Sequence, residues 1–274
     1  MKRYRPLFSE THPYYIEKYV YNTSQHLNRK LEEGSWYPSF IPIKEAVIRP
    51  DKYVVLIIKE LTSFLQEYDG KTFRYPLFVV DLLNKKFSKY NFTFIEVNSG
   101  DINYLSGIDE ASTLPKNFKT TFQCNIAIGD LFTNKKLQEK FIEVFQELLG
   151  HELIHRGQFL NKQDEEIRKE VFKAKKVYDM TKENDVRSYL SSKQEIMSYA
   201  WMIIEELRFN GLSNNQILTM IRRDSDIKNL SPILDEYKRL FDNDSGVLKR
   251  LYKYIMDYLT GDSKDTPDLT VIRN

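Results

Sequence analysis

Apolar positions recur at steps of three and four from about Asn134 to Leu160. Leu137, Phe141, Val144 and Leu148 begin a stripe that His151, His155 and Phe159 continue. That period belongs to a helix with one buried face, and here the buried face carries two histidines. Upstream, "DKYVVLIIKELTSFLQEYDG" predicts a buried helix from about Lys52 to Tyr68, with Asp51 as N-cap and Gly70 near the stop. Its Val-Val-Leu-Ile-Ile run also suits a strand. "FTFIEVNSGD" opens with a strand and runs into a turn cluster. "TTFQCNIAIGDLF" places Phe122, Cys124, Ile126 and Ile128 on one face of a half-buried strand. Between the two, "INYLSGIDEASTLPKN" reads as an irregular crossover with a short edge strand.

After the charged connector "DEEIRKEVFKAKKVYDMTKEND" a helix begins near Ser192, and the chain stays mostly helical to about Leu259, with breaks at Asn210-Gly211 and "NDSG". The first 50 residues are aromatic-rich and irregular; "YYIEKYVYNTSQHLNRKLEEG" within them suits a helix ending at Gly34. The tail "GDSKDTPDLTVIRN" reads as loose. This divides the chain into an N-terminal extension (1–50), a central domain (51–210), and a helical C-terminal lobe with its tail (211–274).

Composition narrows the function classes. The 274 residues can bury a substantial core, and 41% hydrophobic with 29% charged residues fits a folded globular chain. Lys+Arg at 41 against Asp+Glu at 39 leaves a net charge of +2, which argues against a nucleic-acid partner. No apolar run is long enough for a membrane span. "MKRYRPLFSETHPYY" lacks the apolar segment of a secretory signal. One cysteine, Cys124, excludes an intrachain disulfide and suits a reducing compartment. The expected location is cytoplasmic or virion-associated. The richness in Lys, Asn, Ile, Tyr and Phe hints at AT-rich coding, as in some phages and low-GC bacteria.

The chemistry sits in "GHELIHRGQF". His151 and His155 lie one helical turn apart on one face, so their imidazoles can converge on one cation. Glu152 stands about 100° further round, where it can take a proton from an attacking water. Zn2+ suits such ligands. Gly150 allows another backbone or a substrate to approach closely. The bland alternative is a solvated helix with two incidental histidines.

"HELIH" after two β segments, with a carboxylate on a later helix, resembles the zincin metallopeptidases. The resemblance covers a few motif residues and the coarse element order over about 90–210. It implies an α+β fold: a mixed sheet packed on the H-E-x-x-H helix, with an edge strand that aligns a peptide. A catalytic zinc site takes three protein ligands and keeps one position open. Only His12 and His26 remain, both upstream, and Asn161 stands where a metzincin has its third histidine. A carboxylate must serve, as in the gluzincin branch. Glu195, 40 residues after His155 in "QEIMSYA", matches that branch's E-x-x-x-x-A segment through Ala200. Competing readings stay open. Ser192 and Glu195 have capping-box spacing, and Asp164, Glu165, Glu166 and Glu170 are other carboxylates. Cys124 invites comparison with peptide deformylases, but their glycine-cysteine-leucine segment is missing here and Ile154 replaces their aspartate.

The implied activity is zinc-dependent peptide hydrolysis on a protein or peptide substrate, with Glu152 as general base. Tyr199, Tyr189, Tyr178 or Arg187 would stabilise the oxyanion. The alternative is a structural or interaction protein that retains a zincin-like fold without peptidase activity.

Overall fold

The computed structural model describes residues 47–97, 107–114, 117–160, 181–223, 230–241, 246–261 and 263–265. The proposed helix ending at Gly34, the histidines His12 and His26, and Asn161, Asp164, Glu165, Glu166, Glu170 and Tyr178 lie outside them.

The described elements make an α+β fold, mostly helical, around a small mixed sheet. In chain order they are β1 (Val47–Arg49), α1 (Asp51–Glu67), α2 (Pro76–Phe87), β2 (Phe92–Glu96), β3 (Ile108–Thr113), β4 (Thr120–Cys124), α3 (Lys135–Leu160), α4 (Glu183–Leu190), α5 (Lys193–Phe209), α6 (Asn214–Arg223), α7 (Pro232–Leu240), α8 (Gly246–Thr260) and β5 (Ser263–Asp265). Short 3-10 turns follow α2 and β4. No described helix is long and apolar enough to cross a membrane.

The sheet has the order β2-β4-β3, with β2 parallel and β3 antiparallel to the central β4. Phe92, Phe94, Phe122 and Cys124 alternate inward along β2 and β4. Their rings meet those of α3: Phe122 lies 5.0 Å from Phe145, and Phe94 stacks on Phe122 at 5.1 Å. This aromatic packing anchors the first half of α3 to the sheet.

Several sequence expectations need correction. Asp51 opens α1 from inside its first turn; Pro50 holds the N-cap position, without a side-chain cap. The strand around Phe122 ends at Cys124, and the chain turns into a 3-10 segment at Ile126, so the alternation does not continue to Ile128 on a strand. Ser263–Asp265 of the tail form a strand: β5 pairs in parallel with β1. The last three residues of the charged connector, Glu183 to Asp185, open a short helix, α4, that precedes α5. The expected edge strand exists as β3, and the Val-Val-Leu-Ile-Ile run is helical, burying Val54 and Ile57 and exposing Val55 and Leu56.

The most consequential difference concerns α3. The apolar period predicts one buried stripe, yet every residue from Glu147 to Phe159 is buried. The sheet packs on one side of this helix, α1 on another and α5 on a third. A helix buried all round is ordinarily apolar all round. Here Glu147, His151, Glu152, His155, Arg156 and Gln158 share that interior with Leu149, Leu153 and Ile154. Each apolar side chain contributes about 1.5–3 kcal/mol on burial; each polar one must find a partner or destabilise the fold.

Candidate metal centre

α5 crosses α3 at Gly150. A Cβ on Gly150 would overlap the indole Nε1 of Trp201 and stand 2.7 Å from its Cδ1. The close approach that Gly150 permits is therefore that of the Trp201 side chain. It brings the first two turns of α5 against the His151–His155 turn of α3.

Three side chains meet at that crossing. The Nε2 atoms of His151 and His155 lie 2.9 Å apart. Glu195 Oε2 lies 3.3 Å from the first and 3.4 Å from the second. His151 is 5% exposed, His155 1% and Glu195 4%, so water does not screen the group. Among the described residues, these three are the grouping of His, Cys, Asp and Glu that could hold a metal ion. Cys124 is fully buried at the end of β4 and is not part of it.

The outer ring nitrogens decide which way the lone pairs point. His155 Nδ1 lies 2.9 Å from Gln158 Oε1. His151 Nδ1 lies 3.2 Å from Met202 Sδ. The Gln158 amide oxygen is the stronger acceptor, so His155 Nδ1 carries its hydrogen and His155 Nε2 keeps its lone pair; without a cation His151, whose Nδ1 faces a weak thioether, has its hydrogen on Nε2, between His155 Nε2 and the Glu195 carboxylate. Two Nε2 atoms and a carboxylate oxygen thus converge on one small volume, an arrangement that a cation satisfies by taking the place of the His151 hydrogen. Zinc bonds of about 2.0–2.1 Å at tetrahedral angles place ligand atoms about 3.3 Å apart. The observed separations of 2.9, 3.3 and 3.4 Å fit that triangle. Burial holds the His151 imidazole below its ordinary pKa, outweighing the raising effect of the Glu195 and Glu152 carboxylates. The neutral ring is the form that binds metal.

Both sequence readings of Glu195 describe part of the structure. Ser192 Oγ accepts from the Glu195 backbone N–H at 3.3 Å and so caps α5. The Glu195 carboxylate itself turns to the histidines, while the Ser192 N–H bonds the Tyr189 carbonyl at 3.1 Å.

Glu152 is 2% exposed, and its Oε2 has no hydrogen-bond partner among the described residues. Its backbone carbonyl accepts from Thr113 Oγ1 of β3 at 3.4 Å, which ties this turn to the edge strand. Tyr199, one turn after Glu195, sets its ring edge-on to His151 at 5.0 Å. Arg187 lies elsewhere, over the Phe241 ring and 3.9 Å from Glu183. Tyr189 is half-buried near the end of α4.

Sequence reasoning missed Gln158, Met202 and Arg156. The i, i+3 spacing of His155 and Gln158 carried a signal for the first. Met202 sits one turn beyond Ser198 on α5, and nothing local marks it. Arg156 is fully buried; its Nη1 bonds the Tyr90 carbonyl at 2.7 Å, while Nε and Nη2 have no partner among the described residues. Desolvation pushes its pKa down to about 10.

No family model, curated protein sequence or solved structure gives a significant match to the chain.

Proposed function

We propose that this protein is a zinc-dependent metallopeptidase of the gluzincin type, with His151, His155 and Glu195 as metal ligands and Glu152 as general base. The observation that carries the reading is the buried triangle of two imidazole Nε2 atoms and one carboxylate oxygen, with both outer nitrogens facing acceptors. Three ligands from the chain leave the fourth position for water or substrate, as a catalytic zinc requires.

Zinc held there would supply a Lewis acid that polarises a carbonyl and lowers the pKa of water. The chain's own residues do the rest. Glu152 has a buried carboxylate oxygen to spare; it accepts a proton from the attacking water and returns it to the leaving amine. Tyr199, against His151, is the residue best placed to donate to the developing oxyanion. β3 is an edge of its sheet and is bonded to the Glu152 turn, so an extended peptide adding to that edge would run past the site. The zincin likeness of the fold belongs to this proposal, resting on the mixed sheet, the H-E-x-x-H helix and the crossing helix with its glutamate.

The test has two stages. Metal analysis of the purified protein should find about one zinc per chain. A peptide-library digest should then show cleavage by wild type that Glu152→Gln abolishes. Zinc without cleavage of any peptide would favour a non-enzymatic scaffold that keeps the metal, and no metal uptake would overturn the peptidase reading and leave a metal-free scaffold.

A further inference from the structure

Gln158 is 1% exposed, and its side chain touches one corner of the triangle, His155, and the residues beside another, Glu195. Oε1 faces His155 Nδ1 at 2.9 Å. Nε2 donates to the Gln194 backbone carbonyl at 3.3 Å and lies 3.6 Å from Met197 Sδ. Gln194 and Met197 flank Glu195 on the first turn of α5. The amide therefore spans from the second histidine of α3 to the backbone beside the carboxylate ligand.

Its orientation is determined by chemistry. A carbonyl oxygen and a thioether are both acceptors, so the NH2 end must face α5 and the oxygen must face the imidazole. The Gln158 oxygen at 2.9 Å from Nδ1 is closer than the Glu195 oxygen at 3.4 Å from Nε2, so it favours the hydrogen on Nδ1 and leaves the lone pair on Nε2, inside the triangle. Without it the ring is free to put the hydrogen on Nε2, which would block ligation. His151 lacks an equally strong holder, since its Nδ1 faces only the weak thioether acceptor of Met202.

We propose that Gln158 is a positioning residue: it fixes the tautomer of His155 and, through Gln194, holds that ring in register with Glu195. Ligand-orienting partners of this kind commonly change metal affinity 10–100-fold when removed. The affinity part of this inference rests on the metal reading above; the tautomer part does not.

The experiment uses the full chain, stripped of metal and titrated with zinc against a competing chelator, in wild type, Gln158→Met and Gln158→Glu. Imidazole tautomers are read in the metal-free proteins from long-range 1H–15N NMR spectra. Gln158→Met removes acceptor and donor at nearly constant volume; Gln158→Glu keeps an acceptor. The expected result is an Nδ1–H tautomer for His155 in wild type and Gln158→Glu. Gln158→Met should move the hydrogen towards Nε2 and weaken zinc binding about 10–100-fold, with Gln158→Glu recovering most of the affinity. A Gln158→Met protein that keeps the Nδ1–H tautomer, or binds zinc as tightly as wild type, overturns the proposal. If Gln158→Met does not fold, Gln158→Glu decides: loss of the Nδ1–H tautomer there overturns it equally. A wild-type protein that takes up no zinc refutes the metal reading instead, and the tautomer measurement still judges Gln158.

Discussion

Trp201 lies across Gly150 so closely that the indole fills the space where any other residue would carry its Cβ. The contact sets the distance between α3 and α5 one residue before the first histidine. Both neighbours are deeply buried, Trp201 at 2% exposure, so neither helix can move away without opening the core. Gly150→Ala should therefore destabilise the protein by about 1–3 kcal/mol through overpacking. An unconstrained mid-helix glycine would gain about 1 kcal/mol from the same change, so the sign alone is diagnostic. Chemical denaturation checks it, and Trp201→Leu in the same chain should recover part of the loss.

Removing any corner of the triangle should abolish zinc uptake. Glu195→Gln is the sharpest variant, because it keeps shape and leaves the backbone N–H that Ser192 caps. Its melting temperature without metal should stay near wild type, while the zinc-induced rise disappears. For a ligand at 100 times its Kd, that rise corresponds to about 2.7 kcal/mol. Calorimetric scans with zinc and with a chelator separate the two effects.

Ser192→Ala makes the complementary cut. It removes the cap from α5 and leaves the three ligand side chains in place. Stability should fall by about 1 kcal/mol, with zinc stoichiometry unchanged. A Ser192→Ala protein that loses its zinc would mean that the cap, and with it the entry of α5, positions Glu195.

Glu152→Gln should retain zinc and fold normally, since Glu152 is not part of the ligand triangle. Its peptidase rate should fall by about 10²–10⁴, the range for loss of a general base. Steady-state kinetics on the best peptide from the library digest read this directly.

The metal-free protein should lose stability in mild acid. Burial lowers the folded-state pKa of His151 below its ordinary value of 6.5. Between those two values the unfolded chain binds the proton and the folded chain does not. The proton balance then makes stability rise with pH, so it declines as pH falls below about 6.5 and levels off at the lowered folded pKa. Denaturation midpoints of chelator-treated protein across pH 5–7.5 test the sign, and His151→Asn should flatten that part of the curve.

The α3 helix was readable in the chain because its period is local: Leu137, Phe141, Val144 and Leu148 repeat at a spacing that backbone geometry imposes whatever surrounds it. The same reasoning placed His151 and His155 on one face, and the Ser192 start of α5 was visible in its capping pattern. The strand around Phe122 was legible too, but its end was not. Ile126 and Ile128 keep an alternating pattern, while the backbone has already turned.

Other features depended on contacts between distant segments. Nothing near Gly150 says that Trp201 will lie on it, and nothing in "RGQF" says that Arg156 will be buried against the Tyr90 carbonyl. The side-chain role of Gln158 needed Gln194 and Met197, both more than thirty residues away. The sequence by itself determined the helices, most of the strand positions and the pair of histidines on one face, because those follow from rotation per residue along a single segment. Only the tertiary structure decided that α3 is enclosed on all sides, that Glu195 is the carboxylate meeting both imidazoles, and which nitrogens face inward. Those outcomes are set by how α5 and the sheet pack on α3, and packing is chosen by the whole core rather than by any one stretch of chain.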